Sequence, residues 1–413
     1  MTDPSTRPGS HDSNDKHTPL AGLRVLELGS LIAGPFATRL LAEFGAEVIK
    51  VETPKDGDPL RTWRYVDSQT HTSLWWALQS RNKKLITLNL KHPEGLALAR
   101  RLASESDVIV ENFRPGTLEK LGLGPEVLHE LNPGLVIVRL SGFGQTGPYR
   151  NQPDFGSVGE AMGGIRYITG EPGQTPVRPN ISFGDSLAAL YAVIGALMAL
   201  RARDLHGQGQ VVDVALYEAV FSLLESTLPE YDVAGIIRER AGTSLPGIAP
   251  SNTYRSKDNS YIVIGGNSDA LFKRLMRVIG LPELAEDPRY RTNKERAEHA
   301  AELDALINDW TQQYPLKEIL QSLEAAQIPA GPIYSIADIM NDEQYQAREM
   351  LLSAQLEGIG SVAMPGLVPK LSQTPGEIAW YGGAVGMHNA EVYGGLLGLS
   401  SEEIQELVKQ GVI

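Results

Sequence analysis

The chain has 413 residues, of which 42% are apolar, 21% charged and 7% aromatic, and it contains no cysteine. This composition is typical of a soluble globular protein with about two or three domains, and it excludes disulfide bonds, thiolate-based zinc sites and a cysteine nucleophile. The 37 lysines and arginines against 50 aspartates and glutamates give a net charge of −13, which argues against nucleic acid or an anionic membrane surface as partners.

The amino-terminal residues 1–18 contain no leucine, isoleucine, valine or phenylalanine. We therefore expect them to form a disordered tail and not a targeting peptide. The longest apolar stretch, residues 187–200, has about 14 residues, whereas a helix that spans a bilayer needs roughly 20. Together these observations predict a cytoplasmic protein, or one of an organelle matrix if the source is eukaryotic.

Strand and helix patterns alternate along the first half of the chain. A short apolar strand at residues 24–28 is followed by a helix that has Pro35 in its first turn and ends at Gly45. Such alternation predicts an α/β fold with a parallel sheet covered by helices on both faces. The later elements are predicted as strands at 48–51, 85–88, 108–110, 136–140 and 210–215, and as helices at 93–105, 118–121, 186–202 and 216–224.

The second half of the chain is predicted to contain a smaller domain. Residues 225–250 carry prolines at positions 229, 246 and 250 and are interpreted as a linker after the segment 19–224. Residues 251–335 form the predicted small α/β domain, and residues 336–413 are a final segment of turns and strands. Within these regions the predicted elements are a strand at 261–264 and helices at 269–279, 295–312, 316–325 and 401–409.

A glycine-rich loop follows the predicted strand at 136–140. Gly142, Gly144 and Gly147 have the spacing of a dinucleotide-binding motif, which would indicate a dehydrogenase with a nicotinamide cofactor. That motif needs a helix to begin beside it, whereas residues 148–153 contain two prolines and no apolar helix pattern. We therefore favour a loop whose glycines let the backbone approach another group closely.

Asp185 is the most notable carboxylate because it directly precedes an apolar helix pattern. As a helix N-cap it would accept hydrogen bonds from free backbone amides and would stay ionised beside the positive end of the helix dipole. The same ionised carboxylate could act as a nucleophile without a general base, and Gly184 beside it would leave room for a substrate. Both interpretations, cap and nucleophile, are open at this point.

Several basic residues lie at or just after the ends of predicted strands. Each could be a solvated surface charge, whereas together they could form a local cationic site for phosphate groups. Ligands of open parallel sheets bind beyond the carboxyl ends of the strands, which favours the segments 82–84 and 111–116. The residues are Arg61, Arg81, Lys83, Lys84, Lys91, Arg114 and Lys120.

Several long segments carry the motifs of one enzyme family. The clearest are PLAGLRVLELGSLIAGPFATRLLAEFGAEVIKVE, NKKLITLNLK, DVIVENFRPGTLEKLGLG, NPGLVIVRLSGFGQTGPY and GDSLAALYAVIGALMAL. With these segments the sequence resembles the class III CoA-transferases, the CaiB/BaiF family, from about residue 19 to residue 413. The resemblance implies a Rossmann-like large domain built from both chain ends, with residues 336–413 returning to it, a small domain, and an interlinked homodimer.

The resemblance also implies a reaction. The family's nucleophile is the acidic residue of the GDS segment, which is Asp185 in this sequence. It would carry CoA as an aspartyl thioester, formed and consumed through mixed anhydrides, while CoA passes from an acyl-CoA donor to a small carboxylic acid. No metal and no tightly bound cofactor is implied, and coenzyme A enters as part of the substrate.

The residues that the resemblance implies as CoA contacts lie in turns after predicted strands. Thr53 stands where formyl-CoA transferases have an arginine near the adenine, so the sequence departs from the family at that contact. The residues carried over are Ile32, Ala33, Leu88, Asn89, Leu90, Lys91, Asn112, Phe113, Arg114 and Lys120.

Two departures from the family narrow the substrate. Residues 152–155 contain no histidine, whereas the racemase branch has one after the GFGQTGPY loop, and the loop at 242–247 lacks the glycine run of formyl-CoA transferases. The segment APSNTYRSKDNSYIVIGGNSDALFKRL is more similar to succinyl-CoA-dependent dicarboxylate transferases. We therefore expect succinyl-CoA as donor and a dicarboxylic acid as acceptor. The alternatives are an acyl-CoA isomerase or racemase, an intramolecular CoA-transferase, and a non-catalytic acyl-CoA-binding protein.

Overall fold

The computed structural model describes residues 18–413, which form two compact units. Of these residues, the first unit contains 18–165, 179–226 and 349–413, and the second contains 166–178 and 227–348. Of the predicted disordered tail, residues 1–17 lie outside the described residues. Each unit has a hydrophobic core of its own.

A six-stranded sheet forms the centre of the first unit. All its strands are parallel, in the order β3-β2-β1-β4-β5-β6, which confirms the predicted α/β fold. The order reverses beside β1, so the loops after β1 and β4 meet at the topological switch point where such sheets bind ligands. The strands are β1 (Arg24–Glu27), β2 (Glu47–Glu52), β3 (Lys83–Thr87), β4 (Val108–Glu111), β5 (Val136–Ser141) and β6 (Val211–Ala215).

Helices cover both faces of this sheet. They are α1 (Ala33–Glu43), α2 (Leu74–Gln79), α3 (Pro93–Ser104), α4 (Thr117–Lys120), α5 (Pro125–Leu131), α6 (Gly156–Met162), α7 (Phe183–His206) and α8 (Leu216–Phe221), with a 3-10 turn at Pro59–Thr62. One face packs Val25 and Val48 against α1 and α7, and the other packs Leu26 and Ile49 against α3 and α5. A strand that is buried on both faces has a continuous run of apolar residues, and such runs are why these strands could be predicted from the sequence.

Three of the short helices in the first unit were not predicted. Helix α6 contains Gly156 and Gly159, which lower its helix propensity. Helix α2 has only 6 residues and depends on a cap, because the Ser73 hydroxyl accepts a hydrogen bond from the Trp76 amide at 3.2 Å. Helix α5 has 7 residues, and helices this short show too few turns for a 3.6-residue period to be visible.

Helix α7 extends further than the apolar stretch predicted from the sequence. It has 24 residues and, by length and composition alone, is long and apolar enough to cross a membrane. The expectation that no segment is long enough to span a bilayer is therefore wrong. Its alanine face, including Ala188, Ala192 and Ala196, is buried and packs in the core with residues of α1 and the sheet. A core helix of this kind meets the same length and composition test.

The second unit contains a three-stranded antiparallel sheet in the order β7-β8-β9. Its elements are α9 (Thr227–Ala234), β7 (Ser251–Arg255), β8 (Tyr261–Gly265), α10 (Asp269–Val278), α11 (Asn293–Glu298), α12 (Ala300–Thr311), α13 (Leu316–Ala325), β9 (Ala330–Pro332), α14 (Ile336–Met340) and α15 (Glu343–Ala347), with 3-10 turns at Pro282–Ala285 and Pro288–Tyr290. Its core packs Ile262 and Ile264 of β8 against Phe272, Ile307 and Leu323 of the helices.

The structure differs from the sequence-based expectation at several places in this unit. The unit includes residues 166–178, which were predicted within the segment 19–224, and it contains α14 and α15 where turns and strands were predicted. The predicted linker at 225–250 contains helix α9, where Pro229 lies in the first turn and is therefore tolerated. The predicted helix at 295–312 is divided between α11 and α12, because His299 leaves the helical conformation at φ −114° and ψ 21°. The unit extends to residue 348 and not to 335.

Residues 349–413 belong to the first unit. They contain the hairpin of β10 (Leu351–Leu356) and β11 (Gly360–Pro365), a π-helix at Ala390–Leu396 and helix α16 (Ser401–Lys409). This segment pairs with the free edge of β3. The Leu85 amide donates to the His388 ring at 2.9 Å, the Thr87 amide donates to the Asn389 side chain at 2.9 Å, and the Tyr393 hydroxyl donates to the Thr87 carbonyl at 2.7 Å.

The hydroxyl of Tyr393 is fully buried, so its bond to the edge of β3 should be measurable as stability. We expect Tyr393→Phe to lower the free energy of unfolding by about 1–2 kcal/mol, since a buried carbonyl loses a partner. Urea denaturation of both proteins measures this change. Tyr261→Phe at a half-exposed position is the matched control and should change little. Equal effects of the two substitutions would contradict the role given to the edge contact.

Candidate active site

Two loops meet at the switch point of the sheet. The Asn112 side chain, just after β4, accepts a hydrogen bond from the Ser30 amide at 2.8 Å and donates one to the Ser30 carbonyl at 2.9 Å. A Cβ at position 29 would lie 2.8 Å from the Asn112 oxygen, so this close approach favours Gly29. The loop that leads to Ile32 and the loop that carries Asn112 are thereby joined.

The predicted CoA contacts differ in how accessible they are. Ala33 and Leu88 are buried in the core, and Ile32 is buried at the start of α1. The Asn89 amide donates to the Val412 carbonyl at 2.7 Å, which ties the turn after β3 to the carboxyl-terminal segment. The others are half-buried or exposed, and contact of all these residues with CoA stays a prediction. These others are Leu90, Lys91, Asn112, Phe113, Arg114 and Lys120.

More than half of the basic residues proposed as a phosphate site are engaged elsewhere. Arg81 and Lys83 are buried, although their positions near strand ends had suggested accessible charges. Both make salt bridges, as do Arg61 and Lys84. The interpretation of the seven as one cationic group is therefore wrong, because buried carboxylates within the first unit neutralise part of it. The residues that remain exposed are Lys91, Arg114 and Lys120.

Four charged side chains, Glu27, Lys50, Asp58 and Lys83, form a buried tetrad beneath the loop after β1. Lys50 Nζ lies 3.0 Å from Glu27 Oε1 and 2.7 Å from Asp58 Oδ2, and Lys83 Nζ lies 2.8 Å from Glu27 Oε2. None of the four residues is more than 3% exposed. The two positive and two negative charges cancel. Removing any one of the four side chains would leave a buried charge without a partner, which is strongly destabilising.

The tetrad also holds the backbone of this loop. Its side chains donate to the carbonyls of Gly29 and Pro35, the latter at 2.7 Å, and accept from the amide of Leu31 at 3.1 Å. Leu31 has φ 64°, a left-handed conformation that is uncommon for a residue with a side chain and must be held by its surroundings. The path of the chain into α1 is therefore fixed from the interior of the first unit.

The charges of the tetrad shift one another's pKa values. Burial alone would raise the pKa of Glu27, but the ammonium groups of Lys50 and Lys83 lower it below its usual value. Burial is the main cause that lowers the pKa of Lys83, and repulsion from Lys50 lowers it too. Attraction by Glu27 compensates only in part, so the pKa falls to about 8. Lys50 lies between two carboxylates, and they raise its pKa despite its burial.

Asp185 is the third residue of helix α7 and not its N-cap. The cap position is Ser182, so the interpretation of Asp185 as a plain N-cap is wrong, although the carboxylate still lies in the first turn beside the positive end of the dipole. Its Oδ2 lies against the first residue of α6, where a Cβ on Gly156 would be only 2.0 Å away. Glycine at this position is therefore what lets the two helix starts approach each other around the carboxylate.

The glycine-rich loop after β5 is shaped by close approach and not by a dinucleotide-type helix. A Cβ on Gly142 would lie 1.8 Å from the Asp154 carboxylate, and Gly144 and Gly147 both have φ 80°. Helix α6 begins only at Gly156, nine residues after the motif ends. No helix N-terminus is available at the motif, which removes the main argument for a nicotinamide cofactor.

An open cavity of about 320 Å³ lies in the first unit where α1 and α7 begin. Arg39 and Arg64 are its charged residues. Ser182, the N-cap of α7, and Ser186 in its first turn stand on either side of Asp185 in the chain. Its volume is at the lower end of the range of about 300–1,000 Å³ for small-molecule sites, which fits a small acid better than a whole nucleotide. The full lining is Ile32, Phe36, Arg39, Arg64, Trp75, Gln79, Asn180, Ile181, Ser182 and Ser186.

Sequence reasoning missed Arg39, Arg64, Trp75 and Gln79. Trp75 and Gln79 belong to helix α2, which was not predicted, so nothing placed them near the site. For Arg39 a signal was present, because it lies three residues after Phe36 and therefore on the same face of α1. An arginine on the apolar face of a helix is uncommon enough to mark a candidate position.

Comparisons with known proteins agree on one family. Residues 20–389 match the model of CoA-transferase family III. The chain is 51% identical over 395 residues to a succinyl-CoA–D-citramalate CoA-transferase of Chloroflexus aurantiacus, covering 96% of this chain and 98% of that one. It is 36% identical to a succinate–glutarate CoA-transferase of Agrobacterium fabrum, covering 92% and 96%. The crystal structure of a CaiB/BaiF family protein from Brucella suis has a TM-score of 0.83 at 35% identity, covering 92% and 100%.

The lowered pKa of Lys83 predicts a pH dependence. Its folded value of about 8 lies below the value of about 10.4 in an unfolded chain, so between these the unfolded state holds more protons. The contribution of Lys83 to the free energy of unfolding therefore rises with pH across this window, by at most about 1.4 kcal/mol per pH unit. Urea denaturation at several pH values, compared with Lys83→Met, measures it. Parallel profiles for the two proteins would contradict the assignment.

Proposed function

The chain belongs to CoA-transferase family III, and we propose that it moves CoA from succinyl-CoA to a small dicarboxylic acid with Asp185 as nucleophile. Curated relatives that carry CoA between succinyl-CoA and citramalate, malate or glutarate support the donor and the acceptor class. The observation that carries the proposal is the place of Asp185: an aspartate in the first turn of α7, flanked by two serines that line a cavity of small-acid size.

The proposed reaction has four steps. The Asp185 carboxylate attacks the succinyl thioester, the carbon–sulfur bond breaks, and CoA thiolate leaves a succinyl-aspartyl anhydride. CoA thiolate then attacks the aspartyl carbonyl, which releases succinate and forms an aspartyl-CoA thioester. The acceptor carboxylate attacks this thioester and expels CoA thiolate again. Finally the thiolate attacks the acceptor carbonyl of the second anhydride, which frees Asp185 and the new acyl-CoA.

The surroundings of Asp185 suit these steps. Its place in the first turn of α7 favours the ionised carboxylate, because the free amides and the dipole of the helix are positive there. Because Gly184 and Gly156 have no side chains, the starts of α6 and α7 pack closely around the carboxylate, which is half-buried. Rigid backbone around the reacting group matters, since an oxyanion forms in every step and needs prepositioned donors.

We also propose that the chain works as a homodimer. Helix α7 carries a stripe of exposed apolar side chains at helical spacing on the side away from its alanine face: Leu190, Ile194, Leu197, Met198 and Leu205. Exposed apolar stripes of this size mark protein interfaces in soluble proteins. A second copy of the chain is the occupant that the family resemblance implies.

Replacing the nucleophile tests the reaction. We expect Asp185→Ala to lower CoA transfer by roughly a thousandfold or more, because no other group can form the thioester, while CoA binding persists. Mass spectrometry of CoA esters, formed from succinyl-CoA and a panel of carboxylic acids, measures turnover, and calorimetry measures binding.

Asp204→Ala, an exposed aspartate near the other end of α7, is the matched control and should keep wild-type turnover. Retained turnover in Asp185→Ala would overturn the mechanism. If the native protein rearranges an acyl-CoA without any free acid, it is an isomerase or intramolecular transferase. If it binds CoA and transfers nothing, it is a binding protein.

The assembly makes a separate prediction. Interlinked chains cannot part without unfolding, so the protein should elute as a dimer at every concentration over a roughly thousandfold dilution. Light scattering coupled to size-exclusion chromatography measures the mass. A monomer that appears on dilution would contradict interlinking, although a reversible dimer could still cover the stripe on α7.

A further inference from the structure

The cavity lined by Ser182 and Ser186 has a surplus of largely buried positive charge at its wall, although Asp185 itself is not among its lining residues. Arg39 Nε lies 3.4 Å from Glu43 Oε1, and Arg81 Nη1 lies 3.0 Å from the same oxygen. The three side chains are 13%, 1% and 3% exposed for Arg39, Arg81 and Glu43 respectively. Two guanidinium groups thus share one carboxylate, in contrast to the tetrad, where the charges balance.

Arg39 is the less satisfied of the two cations. It donates one hydrogen bond, to Gln79 Oε1 at 3.1 Å, whereas Arg81 donates two, to Glu43 at 3.0 Å and to the Pro365 carbonyl at 2.7 Å. Among residues 18–413, the Nε of each arginine has no hydrogen-bond partner. Burial, assisted by the charge of Arg81 and opposed by that of Glu43, lowers its pKa to about 10. A largely buried cation with incomplete pairing is costly, and an anion brought to it would lower that cost.

The cavity gives an anion access to this group. Arg39 lines it together with Arg64, and no acidic residue is among its lining residues. Arg64 is exposed, has φ 60° and lies over the Trp75 ring at 5.6 Å, so a strained backbone holds a second cation at the same cavity. Aromatic walls from Phe36 and Trp75 would exclude water around a short carbon chain.

We propose that Arg39, assisted by Arg64, binds the carboxylate of the substrate that does not react. The inference rests on the proposed function and names the residues that select dicarboxylic over monocarboxylic acids. One carboxylate of the acid reaches the carbonyl carried by Asp185, and the other pairs with Arg39. A monocarboxylic acid of the same length would place a methyl group against a buried cation, which such sites reject strongly.

The test compares succinate with butyrate, which has the same number of carbons and lacks the second carboxylate. The assay is the incorporation of isotope-labelled succinate, or of butyrate, into CoA ester from unlabelled succinyl-CoA. Arg39→Gln should lower kcat/KM for succinate by roughly a hundredfold and change that for butyrate by less than about threefold. Arg39→Lys should recover part of the preference for succinate over butyrate. Arg64→Gln should lower this preference less than Arg39→Gln does, because Arg64 is exposed.

The charges that remain in Arg39→Gln indicate that this variant should still fold. Arg39→Gln leaves Arg81 and Glu43 as a balanced pair, so the variant should melt no lower than the native protein. Arg201 is an exposed arginine near the carboxyl end of α7. Arg201→Gln removes the same charge far from the cavity and should leave kcat/KM for both acids unchanged.

Four results would overturn the inference. Equal loss for succinate and butyrate would mean that Arg39 has a structural role. Weaker binding of desulfo-CoA, which has no acyl group, would mean that Arg39 binds phosphate of the carrier and not the acid. If the native protein transfers CoA and Arg39→Gln keeps the native preference for succinate over butyrate, the inference fails and the proposed function stands. If the native protein transfers CoA to no dicarboxylic acid, the proposed function fails and the inference fails with it.

Discussion

The geometry of the site depends on the burial of Glu27, Lys50, Asp58 and Lys83 as a neutral set. Glu27 ends β1, Lys50 lies within β2, and Lys83 begins β3, so the set crosses three neighbouring strands under α1. Replacing such a set by apolar side chains often stabilises a protein, which argues that its value lies elsewhere. Here it holds the backbone from Gly29 to Pro35, and that backbone forms one edge of the switch point and leads to Arg39.

Much of the first unit could be predicted because its strands are buried on both faces. Val108–Glu111 and Val136–Ser141 are nearly continuous apolar runs, and the glycines and prolines around them mark the turns. Asp185 could be singled out because a carboxylate next to an apolar helix is conspicuous. Its exact role at the helix start could not, since the helix begins at residue 183, three residues earlier than the predicted start at 186.

The rest depends on contacts that sequence spacing does not encode. Lys83 reads as a charge near a strand end, and only its distance of 2.8 Å to a glutamate 56 positions earlier shows why it is buried. Gln79 and Trp75 reach the cavity through α2, a helix that exists because Ser73 caps it. Arg39 and Arg81 are 42 positions apart, so their competition for one carboxylate is invisible until the chain is folded.

The pairing of residues 388–412 with the strand at Lys83–Thr87 has a consequence for the order in which the protein is made. The edge strand leaves the ribosome early, but the His388, Asn389 and Tyr393 groups that satisfy it arrive some 300 residues later. The whole of the second unit is synthesised in between. During translation the sheet therefore carries an open edge, the kind of surface that chaperones shield, until residues 388–412 have been added.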